Sequence, residues 1–232
     1  MRIPLLASAG VGACALALAV AVPAAAASSH NVSATVFGAD SGSRAVTYDP
    51  AVVPTGAQMS VNISQAADGT VVALRPLPYD DPLAQDLIEA VQQEYVRRYG
   101  GRDAAAVEPA EFVPPRGLFL VAEVDGVPAG CGAWRALPTA LAEIKRVYVE
   151  PSFRRRGIAQ LIVAALEDAA AAAGHARIVL NSGREQPEAL ALYEELGYRP
   201  VPGYGVYACT PGAIFLGKAL TEGEEKEPSW AS

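Results

Sequence analysis

The spacing of apolar positions changes character along the chain. Residues 3–22 are apolar almost without interruption. Between 28 and 69 apolar and polar residues alternate over short stretches, as in Val46-Thr47-Tyr48 and Met59-Ser60-Val61-Asn62-Ile63, which is the period of strands. From about Thr70 the pattern switches between strand and helix. Residues 70–77 predict a strand. Asp81-Pro82 predicts a helix start, with Asp as N-cap and Pro at the first helical position. Leu83, Leu87, Ile88, Val91 and Tyr95 then mark one face of a helix that Gly100-Gly101 stops. Residues 118–124 and 127–134 flank Asp125-Gly126 and predict a hairpin. Residues 142–150 predict a strand. Ile158, Leu161, Ile162, Ala165, Leu166 and Ala169 predict an amphipathic helix that ends at Gly174. Residues 176–181, 187–196 and 211–220 read as strand, helix and final strand. The tail 221–232 is acidic.

Composition narrows the classes. Of 232 residues 51% are hydrophobic and 19% charged, so the chain is globular and can bury a sizeable core. Eighteen Lys and Arg stand against 25 Asp and Glu, a net charge of -7. That balance argues against a nucleic-acid partner and suits a cationic small molecule. The three cysteines and two histidines show no metal-ligand spacing, so neither a metal site nor a disulfide scaffold is expected. Cys131 and Cys209 read as small buried apolar residues, and His175 as a cation at a helix end. No Gly-x-Gly-x-x-Gly follows a strand, which argues against a dinucleotide-binding fold.

The N-terminal third stands apart. Residues 1–27 have a basic start at Arg2, an apolar run, and a small-residue end at Ala24-Ala25-Ala26-Ala27, the layout of a secretory signal peptide. An uncleaved membrane anchor is the alternative. Residues 28–69 form a Ser/Gly-rich, strand-like extension. Within it Ala45-Val46-Thr47-Tyr48-Asp49-Pro50-Ala51-Val52-Val53-Pro54 resembles the opening strands of secreted bacterial copper–zinc superoxide dismutases. No cluster of histidines follows, so dismutase activity is excluded. The segment is read either as a natural fusion or as the product of a misassigned reading frame.

The chemistry concentrates in Val147-Tyr148-Val149-Glu150-Pro151-Ser152-Phe153-Arg154-Arg155-Arg156-Gly157-Ile158-Ala159. A strand passes through a turn with three arginines and a glycine directly into a helix. Unpaired N–H groups at the helix start, the helix dipole and Gly157 together predict an anion site. Glu143-Ile144-Lys145-Arg146 precedes this run, and Gln186-Pro187-Glu188-Ala189-Leu190-Ala191-Leu192-Tyr193-Glu194-Glu195-Leu196-Gly197-Tyr198 follows it. Together they resemble the GNAT N-acetyltransferase superfamily over residues 71–220. The fold class implied is α/β, a GNAT-like mixed sheet with helices on both faces, as one domain over residues 70–220.

The resemblance implies acetyl-CoA as the acetyl donor, no metal, and a small amine or peptide amine as acceptor. It implies that Arg154, Arg155, Arg156, Gly157, Ile158, Ala159 and Gln160 hold the pyrophosphate of acetyl-CoA. Val147, Tyr148 and Val149 would pair with the pantetheine arm, one amide polarising the thioester carbonyl. Ala159 stands at a position that is often glycine, and Gln186 where many members have asparagine contacting the cofactor arm. Tyr193 stands where members place the acid that protonates the leaving thiolate, and Leu192 is read as already supplying the core face of that helix; the alternative is a packed aromatic. Glu143 is either a general base or a solvated strand glutamate paired with Lys145 or Arg146. The acceptor pocket is assigned to the loops 100–116 and 200–210. A homodimer is left open. The leader predicts export while acetyl-CoA chemistry requires the cytoplasm, and a membrane partner arises only if the leader is uncleaved. Competing readings are an idle acyl-CoA-binding module and an extracellular β-rich binding protein.

Overall fold

The computed structural model describes residues 33–37, 43–47, 62–66 and 68–221. The leader at 1–27, most of the extension and the tail beyond Thr221 lie outside the described residues. The strands are β1 (Ser33–Phe37), β2 (Ser43–Thr47), β3 (Asn62–Gln65), β4 (Val71–Pro76), β5 (Gly117–Val124), β6 (Val127–Ala136), β7 (Ala142–Val149), β8 (Arg177–Gly183), β9 (Arg199–Pro200) and β10 (Ala213–Ala219). The helices are α1 (Pro82–Tyr99), α2 (Ile158–Ala172) and α3 (Pro187–Glu195). One sheet takes the order β2-β1-β3-β4-β5-β6-β7-β8-β10-β9. It is mixed: β1/β3 and β7/β8 are parallel, and the other neighbours are antiparallel. The expected class, a mixed sheet covered by helices on both faces, is the one observed.

Strand alternation sorts the core into two layers. On β5, Leu120, Ala122 and Val124 pack with Ile158, Ile162, Val163 and Leu166 of α2. Phe119 and Val121 point the other way, to Ala84, Leu87, Ile88 and Val91 of α1. Burial of each such aliphatic side chain is worth about 1.5–3 kcal/mol, so both helices are held by their apolar stripes. Helix α1 starts as its sequence dictates, with Asp81 Oδ1 accepting from the Leu83 N–H at 2.9 Å. Helix α2 lies close on β6 because Gly132 has no side chain: a Cβ there would stand 2.5 Å from Ile162 Cγ2.

Some expectations need correction. The sheet continues across residue 70, since β3 pairs with β4, Asn62 opposite Leu74 and Gln65 opposite Val71. Ala66 belongs to the same core as Leu74. The two-residue β9 lies against β10 and was too short to carry a pattern. Cys131 is buried as expected, but Cys209 is exposed, because it follows a short turn at the surface instead of lying in a strand.

Candidate active site

Strands β7 and β8 are parallel neighbours for only three residues each, Ala142–Ile144 against Ile178–Leu180. Beyond that they part. Strand β7 carries a bulge: Cys131 faces Tyr148 and Ala133 faces Lys145, so Arg146 and Val147 together oppose Gly132. Arg146 sits there at φ +60°, a backbone region that L side chains enter at a cost of about 1–2 kcal/mol. Past the bulge β7 follows β6 while β8 stays with β10, and the edge of β7 toward β8 is left unpaired. A cleft of about 460 Å³ fills the gap.

The cleft wall joins elements far apart in sequence. Tyr95 comes from α1, Asp103 from the loop after it, Lys145, Arg146 and Val147 from β7, Asn181 from β8, and Gln186 and Tyr193 from the start and middle of the α3 segment. Tyr207, Thr210 and Pro211 close one side. The loops assigned to the acceptor therefore both reach the cleft. Of the residues singled out in the sequence, Val147, Gln186 and Tyr193 line it; Tyr148, Val149, Glu143 and the turn from Arg154 to Gln160 do not.

Tyr193 is the one buried residue of α3, and Leu192 is only half-buried, which reverses the expected division of labour on that helix. Its ring packs edge-on against Tyr198 with centroids 5.3 Å apart. Burial pushes its phenol well above the ordinary tyrosine value, so it stays protonated at neutral pH. Packing and cleft exposure thus coexist in one side chain. Gln186 accepts a hydrogen bond from the Tyr99 hydroxyl at 3.1 Å, which fixes its amide at the cleft rim.

Glu143 is neither solvated nor paired with Lys145 or Arg146. It is 4% exposed, and its Oε2 accepts from Arg135 Nε at 2.8 Å, directly across the β6/β7 register. Arg135 also reaches Glu111 at 2.9 Å, tying the long loop before β5 to the sheet. Burial and the nearby Glu143 carboxylate push the Tyr204 phenol up.

Lys145 and Arg146 instead converge on Asp103, a residue that no sequence motif marked. Arg146 donates to Asp103 Oδ2, Lys145 Nζ stands 3.4 Å from the same oxygen, and Tyr207 Oη donates to Oδ1 at 2.7 Å. Burial opposes ionisation of Asp103, but Lys145, Arg146 and the Tyr207 hydroxyl outweigh it and hold the carboxyl well below its usual range. Tyr95 is a second phenol on the wall, pushed up to about 12 by burial. Only the bulge could have predicted this cluster, since it lets consecutive residues 145 and 146 approach one carboxylate.

The turn before α2 contrasts with the wall. Arg155 and Gly157 adopt positive φ, +62° and +87°, and Gly157 is the N-cap. No side chain caps α2, and among the described residues the N–H groups from Gly157 to Gln160 have no acceptor. Arg154 Nε donates to the Val149 carbonyl at 2.9 Å, its guanidinium lies 5.7 Å from the Tyr148 ring centroid, and it stands 3.6 Å from Glu94. Glu94 is buried enough to oppose ionisation, yet hydrogen bonds from Arg97 and Arg98 take it down to about 2. The result is a turn with free N–H donors, tied to the free edge of β7 through Arg154. Among the described residues no group of His, Cys, Asp and Glu could hold a metal ion.

Comparison with known proteins agrees with this architecture. Residues 84–198 match the model of the Acetyltransferase (GNAT) family. The chain is 31% identical over 152 residues to an IAA acetyltransferase of Azospirillum brasilense, covering 65% of this chain and 98% of that one. A Klebsiella pneumoniae structure assigned as an acyl-CoA N-acyltransferase superposes with a TM-score of 0.55 at 26% identity, over 65% of this chain and 98% of that one. A GNAT acetyltransferase of Staphylococcus aureus shares the fold with a TM-score of 0.53 at 15% identity, over 64% of this chain and all (100%) of that one.

Proposed function

The chain belongs to the GNAT acetyltransferase family, and from that premise we propose that it is an acetyl-CoA-dependent N-acetyltransferase in which a primary amine attacks the bound thioester directly. One observation carries the reading. The unpaired edge of β7 leads through a single turn into the uncapped start of α2, so a ladder edge and a set of free N–H groups lie on one continuous path beside the cleft. A pyrophosphate fits the turn, because its donors are free and Gly157 leaves the backbone open. The extended arm of the donor fits the free edge of β7 along Val147, Tyr148 and Val149, where the amides of Val147 and Val149 face away from β6, as an added strand would. Arg154, held by the Val149 carbonyl, joins the two.

The donor supplies an acetyl thioester. As the amine nitrogen bonds to the carbonyl carbon, the carbon–sulfur bond breaks and the sulfur leaves with the electron pair. Tyr193, kept protonated by burial, lends its proton to that sulfur, and the proton shed by the new amide nitrogen returns through solvent to the phenolate. Glu143 enters the scheme as the carboxylate that holds Arg135, with no contact to the reacting atoms.

Calorimetric titration of the full chain with acetyl-CoA tests the reading. Gly157→Glu sets a side chain and a negative charge where the pyrophosphate sits, and affinity should fall about a hundredfold. No binding by the wild type, or undiminished binding by a folded Gly157→Glu protein, overturns it. Thiol release with a panel of primary amines separates an active enzyme from an idle acyl-CoA-binding module.

A further inference from the structure

The charges on the cleft wall do not balance. Lys145 and Arg146 are 10% and 3% exposed, and both face the single carboxylate of Asp103, itself 8% exposed. Among the described residues no second carboxylate pairs with either cation. Tyr207 and Tyr95, the other polar neighbours, are neutral phenols. Arg146 Nε is buried and has no hydrogen-bond partner. Arg102, also on the wall, is paired with Glu89 at 2.6 Å, and Arg184 and Glu185 are exposed side chains of opposite charge, so none of the three changes the account of the buried charges. A surplus buried cation with an unused donor is costly unless an anion completes it. The chain as a whole carries a net charge of -7, so this local surplus runs against its average.

What anion belongs there follows from position. The donors suited to phosphate are those of the turn from Arg154 to Gln160, which lies outside the cleft wall. The surplus sits at Lys145 and Arg146, before the edge residues Val147 to Val149, and its opposite wall is the loop after α1. A cleft of about 460 Å³ is the size of a small-molecule site. We infer that the acceptor is a small amine that also carries a carboxylate close to its nitrogen, as an α-amino acid does, and that Lys145 and the Nε side of Arg146 bind that carboxylate. The inference rests on the acetyltransferase reading of the same cleft. It replaces the purely cationic acceptor that the overall charge suggested.

Matched pairs test it, each an α-amino acid and the amine left on removing its carboxylate: leucine with isoamylamine, phenylalanine with 2-phenylethylamine, serine with ethanolamine. Binding is read by calorimetry and turnover by thiol release, for the full-length wild type and Lys145→Gln. The acid member of at least one pair should be preferred by about tenfold or more, the scale of one hydrogen bond to a charged group. Lys145→Gln should reduce that preference about tenfold, with acetyl-CoA affinity retained. Equal use of the two members in every pair, preference for the plain amine, or a preference that survives Lys145→Gln overturns the inference. So does a Lys145→Gln protein that loses acetyl-CoA affinity and keeps the pair preference, because the surplus charge then serves the donor. If the wild type fails to bind acetyl-CoA yet binds the acid members through Lys145, the acetyltransferase reading falls and the carboxylate site stands.

Discussion

Arg146 on β7 and Arg155 before α2 are both arginines in left-handed backbone, at φ +60° and +62°, and they live in opposite surroundings. Arg146 is buried, ion-paired to Asp103 and wedged into a bulge. Arg155 is exposed on a turn whose neighbouring N–H groups have no acceptor in the chain. The same side chain therefore does two jobs. Inside the wall it is part of the fold, because a buried cation without its carboxylate destabilises the native state. At the turn it is exposed and contributes little to folding, and in the proposed function it faces the anion of the donor. Mutations in the first region should be felt as stability, and mutations in the open region as binding and turnover.

The largest effect should come from Asp103→Asn, which strips both buried cations of their carboxylate. Chemical denaturation at neutral pH should show a loss of about 3 kcal/mol. Because the folded carboxyl is held below its ordinary value, its stabilisation is complete above about pH 4 and disappears as pH falls toward the depressed folded value. The variant should therefore lose stability less steeply in acid than the wild type. A loss under about 1 kcal/mol, the size of an ordinary neutral hydrogen bond, would show that the pair is not structural.

Glu143→Gln probes the second buried pair. Arg135 keeps Glu111, so the cost should be smaller, about 2 kcal/mol in the same measurement. Turnover should fall no more at low pH than at high pH. Unchanged stability with a turnover loss confined to low pH would instead make Glu143 a general base and break the division between the two regions.

Tyr193→Phe should act in the opposite sense. Its hydroxyl has no hydrogen-bond partner among the described residues, so removing it leaves the packing against Tyr198 and costs little stability. Turnover should fall at least about tenfold with acetyl-CoA affinity kept, the lower end of what a positioned acid supplies. Near-normal turnover would return Tyr193 to the core alone.

Helices, strands and the open turn before α2 were legible in the sequence because each rests on local physics. Asp81 caps the helix that follows it, the alternation on β5 divides two layers, and Gly157 opens a turn that arginines surround. The resemblance carried by residues 143–198 pointed to the family on the same local grounds. The charge cluster on the cleft wall was not legible. Asp103 lies in a loop without a motif, more than forty residues before the cations it binds, and nothing in its neighbours marks it. The solvated reading of Glu143, paired with Lys145 or Arg146, failed for a related reason: its partner Arg135 sits across a strand register, and registers are set by sheet pairing. Chain order determines which groups are available and which segments fold as units. Only the tertiary structure decides which charges share a buried space, because the cost of burying a charge depends on every group around it.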